Sequence, residues 1–124
     1  MKVLIIDKVH HVLHEILERA GHQCLDISEA TEQEVRMALP FAEILVLRSR
    51  ISIGQDEILS ARNLKIIARP GSGIEHIDKE FAHKNGIRVV TSPEGNRQSV
   101  AEHALAMLLT LFNRIIIANS EVKQ

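Results

Sequence analysis

Residues 64–73 read LKIIARPGSG. A short apolar run, partly β-branched, stops at Ala68-Arg69 and drops into a turn with two glycines one residue apart. A run of this length, bounded by charge and glycine, is the pattern of a strand buried on both faces of a parallel sheet. Glycines directly after a strand let backbone N–H groups converge and let the chain approach a ligand closely. The same design recurs outward from this stretch. Val3-Leu4-Ile5-Ile6 stops at Asp7, residues 22–27 can form a second strand, and residues 43–47 stop at Arg48-Ser49-Arg50. Residues 87–90 run into the turn-rich TSPEGN at 91–96.

Helical signals lie between these runs. Val9, Val12, Leu13, Ile16 and Leu17 repeat at helical spacing, and Gly21 supplies a stop. Thr31 with Glu34 three residues on is a capping box for a helix to residue 39, ended at Pro40. A short helix is expected over 54–62. Another is capped by Asp78 and runs to Lys84, with Asn85-Gly86 as its end. Strands alternating with helices predict an α/β fold with a parallel sheet and helices on both faces. Five strands in a chain of this length predict the flavodoxin-like order 2-1-3-4-5.

Residues 99–118 predict a long helix, with Ser99 and Glu102 read as its capping box. Apolar residues cover nearly every side of it, from Val100 and Leu105 to Ile115, Ile116 and Ile117. An apolar run over 104–112, interrupted by Thr110 and ended by Asn113-Arg114, is too short for a membrane span. The expectation is a helix that packs against another domain or a second copy of the chain. The predicted division is a domain over 1–97 and an interdomain helix over 98–124. Ser99 with His103 would tempt a hydrolase reading, but the cap accounts for Ser99 and packing for His103.

Composition narrows the function classes. The 124 residues are 45% hydrophobic and 25% charged, which suits one globular domain. With 15 basic and 16 acidic residues there is no basic excess for nucleic acid, and three Phe offer no base-stacking platform. The lone Cys24 precludes an intrachain disulfide and reads as a small core residue. MKVLIID is too short for a signal peptide, so a cytoplasmic protein is expected. No metal is implied.

In open α/β sheets, ligands sit beyond the carboxyl ends of the strands. Those ends carry Arg48, Arg69 and the turn Gly71-Ser72-Gly73, and the last strand leads to Pro93, Gly95 and Asn96. Paired guanidinium groups beside a glycine turn predict a small anionic guest bearing carboxylate or phosphate. The turn is not a dinucleotide fingerprint, because His76 fills the third glycine position of G-x-G-x-x-G. A phosphoacceptor receiver domain would need an acidic pair after the first strand and an Asp ending the third. Here Lys8 follows Asp7, and Arg48 ends the third strand. A stand-alone small-acid-binding module stays open.

The stretch RPGSGIEHID (69–78), then GIRVV, SPEGN and SVAEHALAMLL, resembles the signature of the D-isomer-specific 2-hydroxyacid dehydrogenases, and LVLRSR (45–50) resembles members that oxidise 3-phosphoglycerate. The resemblance implies an NAD-dependent oxidoreductase whose chain starts in a substrate domain and crosses by the long helix into a Rossmann domain. It implies that Arg48 and Arg69 hold the substrate's phosphate or carboxylate, and that Gly71, Ser72 and Gly73 cradle the carboxylate. Asn96 would shape the cleft, and Val100 would approach the nicotinamide. The catalytic arginine and histidine–glutamate pair would lie beyond residue 124, as would the NAD fingerprint. The 124 residues alone are therefore expected to be inactive and to bind NAD weakly at best, with a homodimer formed through the helix over 99–118. His76 stands where the family usually has Asn, and Ile51 where Thr is usual.

Overall fold

The computed structural model describes residues 1–123. It divides into two compact units, Met1–Pro93 and the segment from Glu94 onward.

The first unit is built on five parallel strands in the order β2-β1-β3-β4-β5. They are β1 (Lys2–Ile5), β2 (Gln23–Asp26), β3 (Ile44–Val46), β4 (Ile66–Arg69) and β5 (Arg88–Thr91). Val3 pairs with Ile44, Ile44 with Ile66, and Ile66 with Arg88, so the apolar runs lie side by side in register. Alternation then sends their side chains to two faces. Leu4, Ile6, Leu45, Leu47 and Ile67 face one core with Val35, Leu39, Ile58 and Ala82. Val3, Ile5, Ile44 and Val46 face the other, covered by Leu13 and Leu17.

Helix α1 (His11–Arg19) thus lies on one face. On the other lie α2 (Glu32–Ala38), α3 (Gln55–Ser60) and α4 (Lys79–Lys84). The helix ends follow the capping chemistry. The Thr31 N–H donates to Glu34 Oε2 at 2.7 Å, and the Glu34 N–H returns to Thr31 Oγ1 at 3.3 Å. Asp78 Oδ1 accepts the Phe81 N–H at 2.9 Å. Pro40 does not end α2 abruptly; it sits in a 3₁₀ turn, Leu39–Phe41, that carries the chain to β3. Glu57 is the buried charged side chain among the described residues. It accepts the Gly54 N–H at 2.9 Å and pairs with Arg36, stapling α3 to α2.

The α1 face is covered unevenly. Val3 and Ile5 are sealed, whereas Ile66 and Ala68 are half-buried and Val90, further along the same face, is 41% exposed. Of the five apolar positions predicted for α1, Val12 and Ile16 are exposed.

The second unit corrects two expectations. Helix α5 runs from Glu94 to Phe112, so Ser99 lies inside it and caps nothing. Pro93, with its fixed φ, and Glu94 in the first turn start the helix earlier than Ser99. The helix also does not continue to 118. The Asn113 side chain donates to the Leu109 carbonyl at 3.0 Å, Arg114 takes a left-handed φ of 51°, and α6 (Ile115–Val122) leaves at 58°. No single described helix is long and apolar enough to cross a membrane, although the bent pair is apolar enough taken together. Leu108, Leu111, Phe112 and Ile116 are all exposed.

Ile67 is fully buried at the centre of the sheet, whereas Leu25 on edge strand β2 is 56% exposed. Ile67→Ala is expected to lower the unfolding free energy by about 3 kcal/mol. Leu25→Ala is expected to cost under about 1 kcal/mol. Urea titration of both variants checks the difference.

Candidate functional site

Strands β3 and β4 are neighbours, so Arg48 and Arg69 emerge side by side at the carboxyl edge of the sheet. The Arg69 Nε–H donates to the Arg48 carbonyl at 3.3 Å. Arg48 is exposed and Arg69 half-buried. The sequence pairing of these two residues is therefore realised in space, on one rim.

Beneath that rim runs the glycine turn. Gly71 has a φ of 145°, a conformation that residues with a Cβ rarely adopt. A Cβ built there would strike the Arg69 guanidinium, so the missing side chain is the space in which Arg69 lies. The Gly71 carbonyl accepts the Ser92 N–H at 3.0 Å, tying the turn to the end of β5. Ser72 is exposed at the tip, and the Glu75 carboxylate folds over Gly73. Asn96 and Val100 are exposed residues of α5 and belong to the second unit. Asn96 is in the first turn of that helix, not in the loop its sequence predicts.

Two neighbours of the rim have a role that no motif assigned to them. Asp7, just beyond β1, accepts the Arg48 backbone N–H on Oδ2 at 2.5 Å. Its Oδ1 faces Arg50 Nε at 3.6 Å. Arg50 donates to the carbonyls of Ala30 at 2.5 Å, Ile27 at 3.4 Å and Ile6. The loop's other end is held by Ile51 and Ile53, both buried, and by the Ile53 N–H donating to the His76 carbonyl at 2.7 Å. Burial of Ile51 accounts for an apolar residue after Arg50. Through that carbonyl His76 serves the loop.

Other candidates recede. Burial, helped by the Glu18 carboxylate, pushes the Cys24 thiol up, away from a reactive thiolate. Glu102 accepts the Gln98 amide at 2.9 Å rather than serving a hydroxyl nucleophile. Among the described residues no group of three metal-ligating side chains occurs. Cavities of about 340 and 160 Å³ open around Lys2 and Phe41, at the opposite end of the strands, and neither is lined by the rim. The turn does not fit a dinucleotide: Arg69 fills the space over Gly71 that a pyrophosphate would need, and His76 stands at the third glycine position. What the rim offers is one full guanidinium, the outer edge of a second, and a backbone turn, which is the chemistry of a small carboxylate or phosphate.

A family model for the catalytic domain of D-isomer specific 2-hydroxyacid dehydrogenases matches residues 3–124, and the chain belongs to that family. It is 38% identical over 124 residues to D-3-phosphoglycerate dehydrogenase of Synechocystis, covering 99% of this chain and 22% of that protein. It is 34% identical to the enzyme of the same name from Archaeoglobus fulgidus, covering 100% of this chain and 24% of that one. The crystal structure of cofactor (NAD+)-bound 3-phosphoglycerate dehydrogenase of Entamoeba histolytica matches with a TM-score of 0.76 at 30% identity, over 89% of this chain and 38% of its own. The chain thus spans about a quarter of the length of these curated relatives.

The Gly71 geometry gives a direct test. Gly71→Ala meets both backbone strain and the Arg69 guanidinium, whereas Gly86→Ala, at φ 75° with nothing within 4 Å, meets strain alone. Each should destabilise by about 1–2 kcal/mol through strain. Only Gly71→Ala should also move the Arg69 Nε–H resonance in an NMR spectrum.

Proposed function

We propose that this chain is the substrate-binding part of an NAD-dependent D-2-hydroxyacid dehydrogenase that oxidises D-3-phosphoglycerate to 3-phosphohydroxypyruvate, a cytoplasmic step of serine biosynthesis. The observation that carries the reading is the Arg48–Arg69 pair on adjacent strand ends above the Gly71 turn. The named relatives support the choice of acid. Two cationic groups suit a guest with two anionic ends, one a carboxylate and one a phosphate. Backbone groups of Gly71, Ser72 and Gly73 orient the carboxylate in this reading.

NAD bound to the whole protein would supply the hydride acceptor. The glycine turn here does not fit it, so we assign the dinucleotide to sequence outside these 124 residues, with Val100 as the approach to the nicotinamide. The hydroxyl proton needs a general base; of the carboxylates beside the rim, Asp7 takes the Arg48 N–H and faces Arg50, and Glu75 lies over Gly73, so we assign the base to sequence outside these 124 residues. These 124 residues alone should therefore bind the acid without turning it over. The apolar sides of α5 and α6 support a homodimer formed through this helical segment.

Calorimetric titration of the chain with 3-phosphoglycerate checks the assignment. Binding should weaken about tenfold or more in Arg48→Ala and in Arg69→Ala, the cost of losing one charge-assisted hydrogen bond. D-lactate, which lacks the phosphate, should bind more weakly than 3-phosphoglycerate. Equal binding of the two acids, or indifference to both substitutions, would sink the proposal.

A further inference from the structure

We propose that Asp7 is a positioning residue for the acid-binding rim, and that Arg50 is the clasp that holds Asp7 in place. This deepens the functional reading above and rests on it for the identity of the guest.

Three arginines crowd the same edge, and the geometry divides their labour. Arg50 is spent on the protein. Its Nε faces Asp7 Oδ1, one terminal nitrogen donates to the Ala30 carbonyl, and the other to the carbonyls of Ile6 and Ile27. The Ile6 and Ile27 carbonyls lie where the chain leaves β1 and β2, and the Ala30 carbonyl lies in the turn before α2, whose own N–H also donates to Ile27. A guanidinium with its fork already occupied by backbone oxygens has no bidentate face left for a ligand. Among the described residues nothing pairs with the Arg48 guanidinium. Arg69 spends Nε on the Arg48 carbonyl, lays one terminal nitrogen over Gly71 and keeps its outer edge.

Asp7 links the structural arginine to the other two. Its side chain is 12% exposed and sits between the end of β1 and the loop after β3. Oδ2 takes the Arg48 N–H. The Arg48 carbonyl, on the far side of the same residue, takes Arg69 Nε. One carboxylate therefore orients the backbone at Arg48, and through that backbone it sets both the direction of the Arg48 side chain and the anchor of Arg69. A residue in a loop after a strand would otherwise be free to rotate, and rim precision of this kind decides how well two charges meet two anionic groups.

The test uses the 124-residue chain with Asp7→Ala and Asp7→Asn, and Glu29→Gln, an exposed carboxylate paired with Lys8, as the control. Folding is checked by circular dichroism, and all binding is measured below the thermal transition. Asp7→Ala should speed hydrogen exchange at the Arg48 N–H about tenfold or more, shift the Arg69 Nε–H resonance, and weaken 3-phosphoglycerate about tenfold. Asp7→Asn keeps an oxygen for the Arg48 N–H but turns an amide donor toward Arg50. It should keep the Arg48 protection while the Arg50 Nε–H resonance shifts. Glu29→Gln should match the native chain. A folded Asp7→Ala with unchanged Arg48 exchange and unchanged affinity overturns the inference. If Asp7→Ala does not fold, Asp7→Asn decides, and an unchanged Arg50 Nε–H resonance overturns it. If the native chain does not bind 3-phosphoglycerate, the functional reading fails, and exchange at Arg48 together with the Arg69 signal still decides the role of Asp7.

Discussion

A parallel sheet leaves a row of carbonyl oxygens at its carboxyl edge with no strand beyond to satisfy them. Here one guanidinium, that of Arg50, reaches across the ends of β1 and β2, takes the Ile6 and Ile27 carbonyls together with that of Ala30 in the turn beyond, and leans on the Asp7 carboxylate. The closing of this edge holds the loop after β3 close to the sheet. With the loop fixed, Arg48 and Arg69 become neighbours with a defined separation instead of two solvated charges. The buried Ile51 and Ile53 secure the same loop from the core side. Electrostatics at the edge and packing beneath it therefore act on one short segment, and the rim depends on both.

Much of this architecture was legible in the sequence, for a local reason. Val3 to Ile6, residues 43–47 and Ile66-Ile67 are apolar runs too short for helices, and alternating them with capped helices leaves few ways to build a sheet. Thr31 and Asp78 announced their helices because a cap acts within three residues. The pairing of Arg48 with Arg69 followed from the fold, since both end adjacent strands. Asp7 and Arg50 were invisible as a pair because their contacts join residues 20 to 44 positions apart, and no spacing rule reports such a bond. The S-V-A-E motif misled in the opposite way. Its capping pattern is genuine, but Pro93 and Glu94 offer an earlier start, and a helix once begun runs through a serine at little cost. The break at Asn113-Arg114 was marked in sequence by polar residues in an apolar run, and was read there as a limit on membrane insertion rather than as a bend.

The glycine turn shows how one motif serves two chemistries. In a dinucleotide fingerprint the space left by a missing side chain admits a pyrophosphate. At Gly71 the same absence is filled by the protein's own Arg69. A loop that would have met a phosphate with backbone alone instead presents the edge of a planar guanidinium. In the proposed reading that edge suits a compact acid, because it stands where an extended ligand would have to pass.

The uneven cover of the sheet has a mechanical meaning. Strands β1 and β3 lie clamped between helical layers, while the α1 side of β4 and β5 is thinly covered, down to the exposed Val90. Cooperative loosening in a folded chain begins where apolar contacts are fewest. The part of the sheet that ends in Arg69 and Thr91 therefore has fewer apolar contacts on that side than the part that ends at Asp7. The rim straddles an anvil and a lighter plate: beneath Asp7 the strands are backed by packed residues on both faces, beneath Arg69 mainly on one.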